Sequence, residues 1–131
     1  MTRVVLDASV GVKWFRTEPG TPQAVELLRQ HGSGDISITV PSLFVYEFMG
    51  VAVRLLDGDE YTELWTRFLG WRINVHEVSD SLVRDAMRIS ADLGCTFYDA
   101  VAPALAEAID ATLYSADHRA HAEWPGVMLI G

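Results

Sequence analysis

The sequence predicts an α/β fold, in which helices cover both faces of a mostly parallel sheet. Short apolar runs that stop at an acid or a proline indicate buried strands, and apolar residues recurring three and four positions apart indicate amphipathic helices. The two kinds of segment alternate along nearly the whole chain, which is the pattern of parallel strands joined by crossover helices. Hydrophobic residues make up 50% of the 131 residues, which is enough for a core without disulfides or a structural metal.

Five segments are predicted as strands. The first is an apolar run that stops at Asp7, and the second alternates apolar with small polar residues before it reaches Pro41. The third has the weakest pattern of the five. In chain order the predicted strands are 4–6, 36–40, 73–78, 112–114 and 127–130.

Helices are predicted between these strands. Ser42 opens one of them, Ser79 caps another, and Gly94 ends the latter. Pro103 lies well inside a further helix, where it removes one backbone hydrogen bond and is expected to produce a kink. The predicted helices are one directly after the first strand, then about 23–31, 43–56, about 59–70, 79–93 and 96–109, and a short one after Asp117.

Composition and charge narrow the class of protein. Eighteen acids against ten bases give a formal charge of −8, which opposes a polyanionic partner. The single cysteine, Cys95, excludes a disulfide framework and a Cys-rich zinc site. No apolar run approaches the roughly 20 residues that span a bilayer, and Asp7 comes too early for a signal peptide. We therefore expect one domain over residues 1–131, in the cytoplasm and without a membrane partner.

Four acids lie at positions that suggest chemistry. Asp7 ends the first predicted strand, and Asp117 follows the fourth; Glu47 interrupts a very apolar helix, and Asp99 begins the helix that leads into the fourth strand. Sites of α/β folds lie beyond the carboxyl ends of the strands. Carboxylates gathered there repel one another unless a cation neutralises them, and Mg²⁺ or Mn²⁺ suits oxygen ligands. Such a site activates water and stabilises charge on a phosphoryl group.

Each of these acids also has a purely structural explanation. Asp7 and Asp117 are placed to be helix N-caps after strands. Asp99 stands three residues after Thr96, which is the spacing of a capping box. Glu47 within an apolar helix requires a partner, whichever role it has. The sequence leaves both explanations open.

Other chemistries have less support in the sequence. There is no Gly-rich phosphate loop, and no histidine has metal-ligand spacing with a cysteine or an acid. His118 and His121 share the short helix after Asp117 and are interpreted as solvated loop histidines. Ser9 and Ser115 lie near two of the acids, where they either hold a metal-bound water or have capping and turn roles.

The acidic segments resemble those of one protein family. Segment 6–15, LDASVGVKWF, resembles the opening of PIN-domain proteins of the VapC toxin type. The apolar helix bearing Glu47 resembles the second acidic position of the family, FYDA at 97–100 the third, and YSAD at 114–117 the fourth. The resemblance extends from Val4 to Ile130. Pro103 departs from it, because the family pattern has a helix-favouring residue there.

The resemblance implies a three-layer α/β/α fold with the strand order 3-2-1-4-5. It also implies cleavage of single-stranded RNA by a metal-activated water, with one or two Mg²⁺ or Mn²⁺ ions among the four acids. Asp7 and Asp99 would be the principal metal ligands, Asp117 would complete the cluster, and Glu47 would bind metal or orient the water. VapC-type members are usually homodimeric toxins. A cognate antitoxin protein inhibits them, and its tail lies across their active-site groove.

A homodimer has a second, modest basis in the sequence. The helix 43–56, together with Trp65, Phe68, Leu69 and Trp71, offers more apolar surface than one small sheet needs to cover. Core burial of the same residues is the alternative.

Two other functions share the predicted fold or site. One is a non-catalytic PIN-like scaffold or binding module; a receiver-like version fits poorly, because Asp7 has no acidic neighbour and Lys13 is the only lysine. The other is a metal-dependent phosphatase or DNA nuclease, which differs from the first hypothesis in substrate alone.

Overall fold

A computed structural model of the chain describes residues 2–131 and contains a five-stranded, all-parallel sheet. Its strands are β1 (Thr2–Leu6), β2 (Ile36–Pro41), β3 (Asn74–His76), β4 (Thr112–Ser115) and β5 (Met128–Leu129). They lie in the order β3-β2-β1-β4-β5. The predicted fold class and the strand order implied by the resemblance are confirmed.

The helices of the described chain connect these strands as crossovers. Asp57 begins one of them with a full capping box, in which its side chain bonds to the backbone of Glu60 and the Glu60 side chain bonds back. The helices are α1 (Ala8–Gly11), α2 (Thr21–Ser33), α3 (Ser42–Leu55), α4 (Gly58–Trp71), α5 (Asp80–Leu93), α6 (Phe97–Ala108) and α7 (His118–His121).

Three elements are shorter or less regular than predicted, whereas β1 begins two residues before its predicted start. The helix after β1 is a single α-helical turn followed by a 3₁₀ turn at Val12–Trp14. The third and fifth strands are shorter than the apolar patterns that predicted them. Both lie at the edges of the sheet, where a strand has a hydrogen-bonding partner on one side only.

The two faces of the sheet carry separate apolar clusters. Val4 and Leu6 of β1 point to one face, and Val5 between them points to the other, as strand geometry requires. The first face packs against α1 to α4, and the second against α5 and α6. This arrangement gives the α/β/α layers.

An aromatic cluster fills the first face. Phe44 and Phe48 of α3 are fully buried and stack with their ring centroids 5.7 Å apart. Trp14 and Phe68 pack against them. Burying each such side chain stabilises the fold by about 1.5–3 kcal/mol. Phe68 therefore belongs to the core, whereas Leu69 next to it remains exposed.

Within residues 2–131, no helix is long and apolar enough to cross a membrane.

Gly11 permits the close packing of α1 on this aromatic cluster. A methyl group at Gly11 would lie 2.5 Å from Cζ of Phe44, so Gly11→Ala should lower the free energy of unfolding by about 1–3 kcal/mol through overpacking. Gly50 on the exposed side of α3 has no atom within 4 Å of such a methyl group, and Gly50→Ala should raise stability by about 0.5–1 kcal/mol. Urea unfolding of both variants checks the contrast, and equal effects would contradict the packing.

Candidate active site

The carboxyl ends of β1 and β4 bring two of the four acids to one edge of the sheet. The two strands are parallel neighbours, with Leu6 opposite Tyr114. Asp7 directly follows β1, and its N–H donates to the Tyr114 carbonyl at 3.0 Å; Asp117 lies two residues beyond β4. From β1 the chain proceeds to β2 and β3 on one side, and β4 and β5 lie on the other. This is the switch point at which α/β folds form their sites.

Asp7 is the N-cap of α1. Its Oδ2 atom accepts the N–H of Ser9 at 3.0 Å. The Ser9 hydroxyl in turn accepts the N–H of Ala116 at 3.0 Å, across the gap between β1 and β4. These bonds fix the Asp7 backbone against the loop that carries Asp117.

Asp117 is the N-cap of α7. Its Oδ1 atom accepts the N–H of Ala120 at 3.1 Å, and its own N–H donates to the Ser115 hydroxyl at 3.0 Å. The capping roles considered for Asp7 and Asp117 are therefore real. Each uses one oxygen of the carboxylate, and the other oxygen accepts no hydrogen bond from residues 2–131. Capping thus leaves each residue one oxygen with which to bind a cation.

Asp99 lies in the first turn of α6. Its backbone N–H donates to the Thr96 hydroxyl at 3.0 Å, but the reciprocal bond of a capping box is not formed within the described chain. The half-buried Asp99 and Asp117 line a cleft of about 360 Å³, with Cys95 and Arg119. Burial and the Asp99 charge raise the pKa of the Cys95 thiol.

Glu47 lies on the second turn of α3. The residue as a whole is exposed, but its carboxyl group is partly desolvated. This desolvation, and then the charges of Asp7 and Asp99, raise the pKa of Glu47 to about 7, against a smaller lowering by His121. The partner expected for a carboxylate in an apolar helix is not found among residues 2–131, and the partial exposure of Glu47 limits the cost of that lack.

The four acids are related in pairs and do not form a closed ligand cluster. Glu47 is influenced by Asp7 and Asp99, and Asp117 shares its cleft with Asp99. Among residues 2–131, no three His, Cys, Asp or Glu side chains are arranged so that they could hold a metal ion. The all-oxygen donor set has the chemistry that a hard divalent cation prefers.

His121 is the residue at this site that the sequence interpretation missed. The expectation of a solvated histidine is wrong, because its side chain is 0% exposed; His118 is exposed, as expected. The His121 Nδ1 atom lies 2.6 Å from the Ser115 hydroxyl, and Nε2 lies 2.7 Å from the Asp99 carbonyl oxygen. The position of Pro103, four residues after Asp99, could have indicated this role in the sequence. Proline has no N–H, so the Asp99 carbonyl needs a hydrogen-bond donor from outside the helix.

The sequence matches the family described as PIN domain over residues 4–123. The chain therefore belongs to the PIN-domain family. No curated protein sequence matches it.

Solved structures share the fold over nearly their full lengths. A toxin–antitoxin complex from Klebsiella pneumoniae is 18% identical with a TM-score of 0.74, over 95% of both chains. DNA-bound VapBC from Salmonella typhimurium is 16% identical with a TM-score of 0.75, over 98% of this chain and 97% of that one. VapC20 of Mycobacterium tuberculosis, described as a toxin that cleaves the sarcin–ricin loop, is 15% identical with a TM-score of 0.73, over 95% and 98%. At these identities the likeness establishes the fold.

Glu47 should make the stability of the metal-free chain depend on pH. Its pKa of about 7 in the folded state exceeds the ordinary value of 4.5, so the folded chain binds this proton more tightly than the unfolded chain does. The resulting contribution to the free energy of unfolding is fully present below pH 4.5 and is lost as pH rises through 7. At pH 8, Glu47→Gln should therefore stabilise the chain by an amount on the order of 1 kcal/mol after solvent screening, and below pH 4.5 the gain should vanish.

Urea unfolding between pH 4 and 8 in the presence of a chelator measures this effect. Glu63→Gln is the control, because Glu63 is exposed on α4 and, among residues 2–131, its one ion pair is with Arg67 at the surface. A gain in Glu47→Gln that is the same at every pH would rule out the electrostatic explanation.

Proposed function

We propose that this chain is a Mg²⁺- or Mn²⁺-dependent endoribonuclease that cleaves single-stranded RNA and acts as the toxin of a toxin–antitoxin pair. The proposal treats residues 1–131 as a single PIN-like domain acting in the cytoplasm. Its main support is the position of Asp7 and Asp117 directly beyond the paired strands β1 and β4 of a PIN-domain chain, with Asp99 beside Asp117 and with Glu47 influenced by the charges of Asp7 and Asp99. One structure described as a toxin–antitoxin complex, and one described as a toxin that cleaves the sarcin–ricin loop, share its fold.

The proposed ligands are the acids with carboxylate oxygens left over from capping. Asp7 and Asp99 would be the principal ligands, and Asp117 would complete the set directly or through water. When bound, the divalent ion polarises the attacking water and offsets the charge of the phosphate. The N-cap bonds of Asp7 and Asp117 hold their backbones in place, so that each presents its free oxygen without further ordering of the chain.

Glu47 would accept the proton of the attacking water. Desolvation, the largest cause of its raised pKa, increases the proton affinity of this carboxylate, whereas a divalent ion held by Asp7 and Asp99 would offset the contribution of their two charges. Attack at phosphorus would break the bond to the 3′-oxygen, which would take a proton from solvent water and leave as a hydroxyl, while Glu47 would return its proton to solvent. The products are a 5′-phosphate and a 3′-hydroxyl.

An antitoxin protein and a second copy of the chain are the proposed protein partners. One chain with the same fold is described as part of a toxin–antitoxin complex, and another as VapBC2 bound to a DNA fragment from its promoter. For the homodimer, Tyr46, Trp65 and Leu69 leave apolar surface exposed beside a groove of about 320 Å³ between α3 and α4. Light scattering from the purified chain reads the mass directly, and a monomer at tens of micromolar would contradict the homodimer.

Loss of either principal ligand should abolish RNA cleavage. Asp7→Asn and Asp99→Asn should each lower the cleavage rate of labelled single-stranded RNA in Mn²⁺ by about 100-fold or more, since each removes a charged ligand. The fold should remain, because like-charge repulsion is relieved. Asp59→Asn, on the exposed first turn of α4, is the matched control and should cleave normally.

A non-catalytic scaffold remains the second candidate. The observation in its favour is that no three acidic, histidine or cysteine side chains of residues 2–131 are poised to hold a metal. Calorimetric titration with Mn²⁺ separates the two functions. Absence of binding, together with absence of cleavage by the parent chain, would favour the scaffold over the nuclease.

Arg119 should contribute to RNA binding more than to chemistry. It is exposed, lines the cleft with Asp99 and Asp117, and forms no ion pair with the described residues, so it is available for a phosphate. Arg119→Ala should raise KM by about 3- to 10-fold and leave kcat nearly unchanged. The slope of the logarithm of the RNA-binding constant against the logarithm of the salt concentration should become smaller by about one. Arg67→Ala on α4 is the control, and an equal rise in KM there would show that the effect is only one of net charge.

A further inference from the structure

Pro103 leaves one backbone carbonyl of α6 without its helical partner. In an α-helix each N–H donates to the carbonyl four residues earlier, and proline has no N–H. The carbonyl concerned is that of Asp99, one of the proposed ligands. The helix nevertheless continues through the buried Pro103 to Ala108.

His121 supplies the donor that Pro103 lacks. Its Nε2 atom lies 2.7 Å from the Asp99 carbonyl oxygen. A carbonyl oxygen only accepts hydrogen bonds, so Nε2 carries the proton. In the neutral imidazole the other ring nitrogen, Nδ1, then accepts the Ser115 hydroxyl at 2.6 Å.

The hydrogen bonds continue from His121 to the second acid of the cleft. The Ser115 hydroxyl that donates to the imidazole also accepts the N–H of Asp117 at 3.0 Å. The backbone N–H of His121 donates to the Asp117 carbonyl at 3.0 Å. An unbroken chain of bonds therefore joins the backbone of Asp99 in α6 to that of Asp117 at the start of α7.

The complete burial of His121 indicates that its hydrogen bonds, more than the packing of its ring, explain why a histidine stands at position 121. His121 and Ser115 are both 0% exposed, and a leucine would fill a similar volume without desolvating two ring nitrogens. The cost of burying the ring is offset only because both nitrogens have partners, one on each of the two backbones.

We propose that His121 is a positioning residue that sets Asp99 relative to Asp117, and that it does so through the carbonyl freed by Pro103. The proposal rests on the proposed function to the extent that these two acids bind the divalent ion. His121 itself lies behind the cleft and acts through the backbones that carry the carboxylates.

A double-mutant cycle between Pro103 and His121 tests the proposal. His121→Leu alone leaves the Asp99 carbonyl without a donor and should weaken Mn²⁺ binding at least 10-fold and lower the urea midpoint. Pro103→Ala restores the helical N–H to that carbonyl, so in its presence the effect of His121→Leu on Mn²⁺ affinity should shrink to threefold or less. His121→Gln, whose amide can still donate to the carbonyl, should retain most of the affinity.

His31→Leu is the matched control. His31 also forms hydrogen bonds to the backbone through both ring nitrogens, with Ile38 and Trp71. It lies near the amino end of β2, away from the carboxyl ends of the strands that carry the acids. Its loss should lower the urea midpoint without changing Mn²⁺ affinity. An equal loss of affinity in His31→Leu would overturn the positioning role. So would a His121→Leu effect that is the same in the Pro103→Ala background as in the wild-type chain.

The wild-type chain offers a test that needs neither metal nor folded variants. Long-range ¹H–¹⁵N correlation of the His121 ring should show the Nε2–H tautomer, with a proton protected from solvent exchange. The opposite tautomer would overturn the hydrogen-bond chain. If the parent chain binds no Mn²⁺, the proposed function fails instead, and the tautomer and the coupling of the two residues in urea unfolding still decide the hydrogen-bond chain.

Discussion

The parallel pairing of β1 with β4 is the constraint on which the site depends. It brings two carboxylates to the carboxyl ends of neighbouring strands, because Asp7 follows β1 and Asp117 follows β4. Helices α3 and α6, packed on opposite faces, add Glu47 and Asp99. Such a concentration of like charge opposes folding unless hydrogen bonds or a cation compensate it. The pKa of Glu47 is raised first by desolvation and then by the charges of Asp7 and Asp99, and this second cause reflects that opposition.

Backbone hydrogen bonds provide part of the compensation. Asp7 and Asp117 each accept an N–H at a helix start, and Thr96 caps the helix of Asp99. These bonds fix the backbones but leave carboxylate oxygens unused. The same residues thus satisfy the capping explanation and remain able to bind a cation, so the two explanations are compatible. On the side away from the cleft, His121 and Ser115 join the backbones of α6 and α7.

Local patterns were sufficient for most of the fold. The apolar runs, cap residues and alternation of elements predicted the sheet and its helices, and they missed mainly the lengths of the edge strands, which depend on having one neighbour instead of two. The positions of Asp7 and Asp117 followed from strand ends. The burial of His121 did not, because it depends on a contact with Asp99, 22 residues earlier in the chain. The burial of Phe68 and the exposure of Leu69 likewise did not follow from the local pattern. They depend on how α4 is rotated about its axis where Phe68 packs against Phe44 and Phe48.

Locating bound Mn²⁺ in crystals of the chain by anomalous scattering tests the central claim most directly. The account predicts a peak at the carboxyl edge of β1 and β4, within coordination distance of Asp7 and Asp99, with Asp117 bound directly or through water. It also predicts that the side chains of these acids move together relative to the metal-free chain. A crystal saturated with Mn²⁺ that shows no peak at this edge, or whose peaks lie only elsewhere, would contradict the account.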